Sequence, residues 1–445
     1  MTSVATRFDE AVTSEAWTRS DVRRLAVAGA VLAAVLTTLH TVTTSKHFVD
    51  LQVYRMGASA FLHGHDPYTL TLGHTGLPYT YTPFSAVVFA PLSGLPLGVA
   101  APIQTFVSIL SLFAVVFLVT REVAAPTITP LQVVQGSLLG TACLYWSEPI
   151  LQTLGFGQIN LVLMGLVVVD LLALRSTRAA GVLIGIAAGI KLTPLVFVLY
   201  LVTRRQIRPA ITAAASAAGT VLVGLVVMPG PTWRYFTQLA FQAQRVGHPG
   251  FVGNQSLDGA LTRLTGSYAT AHPYWLAAAL GALVLGLWTA RGVQQWLGEP
   301  YGLALVALTG LLVSPISWSH HWVWWAIPAV ALAWRVYQRR NWVEAALATV
   351  CALPFYIGPF WRIAPRNIRR LPLVGWQHSL GDAYVIEGVV ILLVTAASLR
   401  AANRAAAAKA AAGGSSDPVA LVTGRAPSRR ASLQAPRAWR RIAKG

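Results

Sequence analysis

The chain has 445 residues, 55% of them hydrophobic and only 11% charged, with a mean hydropathy of +0.57. Soluble domains carry about 25% charged residues, so a soluble fold is excluded and an all-α polytopic integral membrane protein is expected. The formal net charge of +19 would suit nucleic acid, but the topology below assigns that charge to another partner.

Residues 1–24 are polar and end in Asp21-Val-Arg-Arg24. The two arginines place this end in the cytoplasm by the positive-inside rule. Residues 25–44 form the first span, an uncleaved anchor, since no small-residue cleavage site follows. Residues 45–98 are a long external segment. In it Gly64-His-Asp-Pro-Tyr68 is a turn, because Asp before Pro favours extended or turn backbone. The apolar stretch 84–92 is shorter than a span, so it is either re-entrant or the start of the next span. Residues 99–120 return to the cytoplasm at Arg121, 131–146 lead out, and 159–174 come back to Arg175 and Arg178.

The run 179–203 has arginines at both ends: Arg175 and Arg178 before it, Arg204, Arg205 and Arg208 after it. A single span would put one cluster outside. A broken hairpin resolves this, with 179–190 rising, Lys191-Leu-Thr-Pro194 turning and 195–203 descending. Each arm is about 18 Å or less at 1.5 Å per residue, too short to span alone. Irregular backbone at that depth is tolerated where it lines a cavity. Residues 210–228 then lead out to a second external segment, 229–272. Spans at 274–290, 301–316, 322–336 and 343–360 follow, then a third external segment, 362–381, and a last span, 383–399. That makes roughly ten spans. Residues 401–445 read as a disordered basic cytoplasmic tail.

Under this topology most lysines and arginines face the anionic inner leaflet, so membrane lipid is the partner of the charge and nucleic acid is not. Cys143 and Cys351 lie in apolar runs, which argues against a disulfide framework. There is no Walker-type Gly-Lys-Ser/Thr and no metal-ligand spacing such as His-Glu-x-x-His.

Only 15 residues are Asp or Glu, so each acid outside the tails needs a reason. Asp50, at the membrane face after the first span, is either a general base or the N-cap of a helix starting at Leu51. Asp66 is accounted for by its turn. Asp258 could cap a helix, and Asp382 could cap the last span. Glu148 in Trp-Ser-Glu-Pro could bind substrate or pair with an arginine. Lys191, inside an apolar run, costs roughly 2.5–3.5 kcal/mol unless it meets water or a partner. It either snorkels or pairs with another helix, or it binds the phosphate of a lipid donor. His320 and His321 sit among tryptophans that form an interfacial belt; their ring N–H groups could also hold phosphate or orient a sugar hydroxyl. Tyr79, Tyr81 and Phe84 could stack on a sugar face or on lipid. Gln158, Asn160, Asn254 and Gln255 are amides suited to sugar hydroxyls, and equally to helix capping.

Six short motifs occur in one order: Asp50-Leu-Gln-Val-Tyr54, Tyr79-Thr-Tyr-Thr-Pro-Phe84, Gly155-Phe-Gly-Gln-Ile-Asn160, Gly189-Ile-Lys-Leu-Thr-Pro194, Asn254-Gln-Ser256 and Ser314-Pro-Ile-Ser-Trp-Ser-His-His-Trp322. The series resembles glycosyltransferase family 87, the actinobacterial polyprenyl-phosphate-mannose-dependent mannosyltransferases. Many relatives have Tyr-Pro-Pro where this chain has Tyr81-Thr82-Pro83, which alters the expected loop. The resemblance implies a GT-C type enzyme of the plasma membrane with its active site on the external side. It implies Asp50 as the base; the residues themselves put Lys191, His320 and His321 at the donor phosphate, and Tyr54, Tyr81, Glu148, Gln158, Asn160, Asn254 and Gln255 toward sugar or acceptor. It further implies transfer of mannose to a lipid-anchored mannoside (phosphatidylinositol mannoside or lipomannan), inverting to an α-(1→2) linkage. No cofactor and no metal are expected. The rivals are a polyprenyl-phosphate-arabinose-dependent enzyme and a lipid or sugar transporter. A transporter would favour inverted repeats and midplane acids; no repeat is evident, and Asp170 and Glu387 lie off the midplane.

Overall fold

Proline and glycine cut the apolar runs into helices of very different length. The computed structural model describes residues 19–44, 47–73, 75–125, 127–363, 373 and 375–411. In chain order the helices are α1 (Arg19–Thr43), α2 (Val49–Leu62), α3 (Pro83–Ser93), α4 (Leu97–Val123), α5 (Pro130–Tyr145), α6 (Glu148–Phe156) and α7 (Asn160–Val168). Then come α8 (Val182–Ile190), α9 (Leu195–Thr203), α10 (Ile207–Val227), α11 (Pro229–Thr237), α12 (Leu257–Thr265), α13 (Tyr268–Leu297) and α14 (Glu299–Val313). A 3₁₀ segment, Ser319–Trp325, runs into α15 (Ala326–Arg339), followed by α16 (Trp342–Ile357), α17 (Phe360–Ile363), α18 (Gln377–Gly381) and α19 (Ala383–Ala411). The described sheet is a two-residue antiparallel pair, β1 (Thr71–Leu72) and β2 (Leu77–Pro78).

Among the described residues, five helices are long and apolar enough to cross a bilayer alone: the α1, α4, α10, α13 and α19 stretches. The protein is therefore an all-α polytopic membrane protein, but several expected spans are not continuous helices. Residues 148–173 bend by 115° between α6 and α7, because Gly157 turns left-handed (φ 70). α14 and α16 are also short, and α15 reaches span length only with the 3₁₀ segment before it. The stretch 84–92 is neither part of α4 nor long enough to span; it is the separate helix α3, N-capped by Thr82. The last span continues past residue 399 to Ala411, because its alanines favour helix. Residues 1–18 and 412–445, and residues 364–372 of the expected third external segment, lie outside the described residues.

The run 179–203 is a hairpin. α8 and α9 are separated at Lys191–Pro194, where Lys191 is extended (φ −149, ψ 133). α8 lies alongside α10 in the same direction: a Cβ at Gly181 would come within 2.2 Å of Pro209 O, and one at Gly189 within 2.2 Å of Thr220 Oγ1. Only glycine permits that approach. α9 then descends beside α14, and Arg204 pairs with Glu299 at 2.6 Å. Both ends of the hairpin thus lie at the start of α10. Asp170 closes the α8 N-terminus by accepting from the backbone N–H of Gly181 (2.6 Å) and Ile184 (2.9 Å), which accounts for this buried acid.

Candidate active site

Asp50 lies in the first turn of α2, a helix of the first segment expected to be external. The helix starts at Val49, not Leu51, and its N-cap is Phe48 in a left-handed conformation (φ 48, ψ 46) with no side-chain cap hydrogen bond. Asp50 is therefore not the cap. Its carboxyl pKa is pushed up to about 6 by burial, while a hydrogen bond from Gln158 and the charge of Lys191 hold it back. That value lets a carboxylate be ionised at neutral pH yet still accept a proton.

Gln158 lies beside Asp50. Its Oε1 accepts from Tyr54 Oη at 2.6 Å and its Nε2 donates to Tyr81 Oη at 3.0 Å. Tyr54 is fully buried, stacked on Phe89 with ring centroids 4.1 Å apart and tilted against Tyr81 at 4.4 Å. Tyr54 and Gln158 thus form the wall behind Asp50. Tyr81 is half-buried, and Lys191 Nζ lies 6.0 Å from its ring centroid.

Lys191, at the break of the hairpin, donates to Asn160 Oδ1 at 3.1 Å and to His321 Nε2 at 3.0 Å. A lysine ammonium can only donate, so His321 Nε2 is the acceptor. Accepting at Nε2 leaves the His321 ring neutral, with its proton on the other nitrogen. Asn160 Nδ2 donates to His320 O (2.9 Å), and Thr153 Oγ1 donates to the same carbonyl (2.7 Å). Among the described residues Lys191 hydrogen-bonds neutral groups and no carboxylate, so its charge is left available to an anion.

A small cleft opens beside Lys191. Asn160, Thr193, Ser317 and His321 line it with the lysine, and Leu163, Val196, Phe197, Gly310, Leu311 and Trp324 make its apolar part. Asp50 is not in that lining and couples to Lys191 through charge. His320 is buried beside His321, with ring centroids 4.9 Å apart.

Other expected sugar ligands are engaged elsewhere. Asn254 and Gln255 are fully buried. Asn254 donates to Pro249 O and Pro315 O and accepts from the Ser317 N–H. Gln255 donates to Val252 O and Gly381 O and accepts from the Tyr384 N–H. The Asn254 amide fastens the backbone that leads to the histidines, and the Gln255 amide ties its own loop to the start of α19. Glu148 is buried and accepts from Ser319, Trp361 and Tyr384. Asp66 caps its turn, accepting from the Tyr68 N–H at 2.9 Å, and pairs with Arg234 at 2.7 Å. Ser256, not Asp258, caps α12. Asp382 is held by buried Arg263 and by His378.

Two groups went unassigned in the sequence. Thr153 is one; nothing local marks it. Thr82 is the other: its hydroxyl donates to the carbonyls of Gly189 and Ile190, the last of α8. The replacement of proline by threonine at this position was the available signal, since only threonine can donate there.

The α8–α9 hairpin of this membrane protein thus brings a lysine to a partly apolar cleft, close enough to Asp50 on α2 for the two charges to interact. The model of "Glycosyltransferase family 87" matches residues 79–315. A Mycobacterium tuberculosis protein described as a polyprenol-phosphate-mannose-dependent alpha-(1-2)-phosphatidylinositol mannoside mannosyltransferase is 35% identical over 76% of this chain and 82% of its own length. Its namesake from Mycolicibacterium smegmatis is 34% identical over 76% of this chain and 81% of its own. A phosphatidylinositol pentamannoside mannosyltransferase from the same species is 39% identical over 66% of this chain and 71% of its own. The chain belongs to glycosyltransferase family 87, a family of membrane glycosyltransferases.

Proposed function

We propose that this enzyme transfers mannose from polyprenyl-phosphate-mannose to a phosphatidylinositol mannoside, forming an α-(1→2) linkage with inversion at the external face of the plasma membrane. The observation that carries the reading is Lys191, hydrogen-bonded to neutral groups at the polar end of a largely apolar cleft. An anionic head with a long apolar tail matches that arrangement. The mannose and the acceptor rest on the relatives' names.

In the reaction Asp50 takes the proton of an acceptor hydroxyl as its oxygen attacks C1 of the donor sugar from the face opposite the phosphate. The C1–O bond breaks and its electron pair leaves with the polyprenyl phosphate. Lys191 stabilises the charge that develops on the leaving group, a group preorganised for that anion. The lysine supplies the compensation a divalent ion would otherwise give, so transfer is expected to persist in EDTA.

The test is a donor and acceptor panel on purified enzyme. Labelled polyprenyl-phosphate-mannose should give a base-labile, α-(1→2)-mannosidase-sensitive glycolipid from phosphatidylinositol mannoside acceptors. Lys191→Met should weaken donor binding, and Gly310→Phe should block the cleft and do the same. Transfer from polyprenyl-phosphate-arabinose but not from the mannose donor would overturn the reading, as would full donor affinity in Lys191→Met.

A further inference from the structure

Glu148 is an acid that the mechanism does not use. It opens α6, and its carboxylate is 9% exposed. Oε1 accepts from Ser319 Oγ at 2.8 Å and from Trp361 Nε1 at 2.7 Å, and Oε2 accepts from Tyr384 Oη at 3.0 Å. Those donors come from three separate segments: the 3₁₀ segment, α17 and α19. The contact with α17 is tight. Gly358 adopts φ 56, and a Cβ there would lie 3.0 Å from Glu148 Cγ, so the corner before α17 closes down directly on this side chain.

α6 acts as a strut. Its first residue, Glu148, holds Ser319, next to His320. Thr153, in its middle, holds the His320 carbonyl. Just beyond its far end, Gln158 holds Tyr54 and Tyr81 beside Asp50. One nine-residue helix thus touches both halves of the site.

We infer that Glu148 is a positioning residue: through Ser319 it fixes the His320–His321 turn, and through His321 the direction of Lys191, so that it sets affinity for the phosphate of the lipid donor without touching substrate. This rests on the donor reading above. It also separates Glu148 from the base, because a carboxylate with three hydrogen bonds already made has little acceptor capacity left.

The experiment measures donor KM, kcat and the pH profile of Glu148→Gln and Ser319→Ala, together with direct binding of polyprenyl phosphate lacking the sugar. Hydrogen bonds to a charged group are the strong ones, so each variant should raise donor KM about tenfold or more, with kcat falling less than about threefold. The double variant should be little worse than either single one, since both break the same link. The acid limb of the pH profile should stay in place, because Asp50 still sets it. Trp361→Phe, which keeps the ring but loses its donor, should shift donor KM in the same direction. An unchanged donor KM with only a lowered unfolding temperature would make Glu148 merely structural and overturn the inference. Collapse of kcat with loss of the acid limb would make it the base and overturn it equally. Polyprenyl phosphate binding keeps the two readings apart. If the wild type binds it but transfers no mannose, the sugar assignment fails while the positioning role is still read from the binding loss in Glu148→Gln.

Discussion

Asp50 carries the sharpest residue-scale predictions. Asp50→Asn removes the proton acceptor and should lower turnover by roughly 100- to 10,000-fold. Stability should be unchanged or improved, because a half-buried carboxylate is harder to desolvate than an amide. Thermal unfolding in detergent and donor binding, measured on the same preparation, check both points; retention of a tenth of the activity would move the base elsewhere. With a pKa raised to about 6, Asp50 is largely protonated at pH 5 and ionised at pH 7. The rate should therefore rise with pH through about 6 and then level. Lys191 favours the ionised form. In Lys191→Met that support is gone, so the acid limb of the residual activity should move to higher pH. A limb that stays or moves down would contradict the coupling.

At the scale of elements, the hairpin α8–α9 decides where Lys191 stands. Gly185 and Gly189 let α8 lie against α10: a Cβ at Gly185 would come within 2.4 Å of Ala213 O, and at Gly189 within 2.2 Å of Thr220 Oγ1. Gly189→Val should destabilise by about 1–3 kcal/mol or more through overpacking, read as a lower unfolding temperature and weaker donor binding. Thr82→Val keeps shape but strips the donor from the Gly189 and Ile190 carbonyls. Leaving buried acceptors unsatisfied costs about 1–3 kcal/mol. The same two readouts should fall, whereas unaltered donor affinity would mean that Thr82 does not hold the lysine arm.

The whole molecule has one side where arginines meet acids at the hairpin ends, with Arg204 on Glu299 and Arg175 on Glu122. On the other, the first two segments expected to be external are tied together by Arg234 on Asp66 and by stacking of Tyr68 on Tyr235 at 5.5 Å. The expected topology places the first side in the cytoplasm. Cys143 and Cys351 are both exposed, so labelling needs them replaced by serine. A cysteine at position 248 should then react with an impermeant reagent from outside, while cysteines at 177 and 206 should react only after the membrane is opened. External labelling at 206 with protection at 177 would show a crossing in place of the hairpin.

Membrane class and the break at Lys191 were legible in the sequence, and Asp50 stood out there as a candidate, because each is a local conflict with lipid. Apolar runs demand helix; a lysine within one, or an acid at its edge, is too costly to be incidental. The hairpin followed from arginines at both ends of too short a run. What the amides and Glu148 do was not legible. Asn254, Gln255 and Gln158 suit a sugar as well as a backbone, and their hydrogen-bond partners lie up to 129 residues away. Only packing decided that Asn254 and Gln255 would be sealed in the core and that Gln158 would stand behind the base. The same holds for the missing cap at Asp50. Helix start depends on the backbone of Phe48, which turns left-handed beside α6 and the Gly157 bend, a contact between segments that no local pattern records.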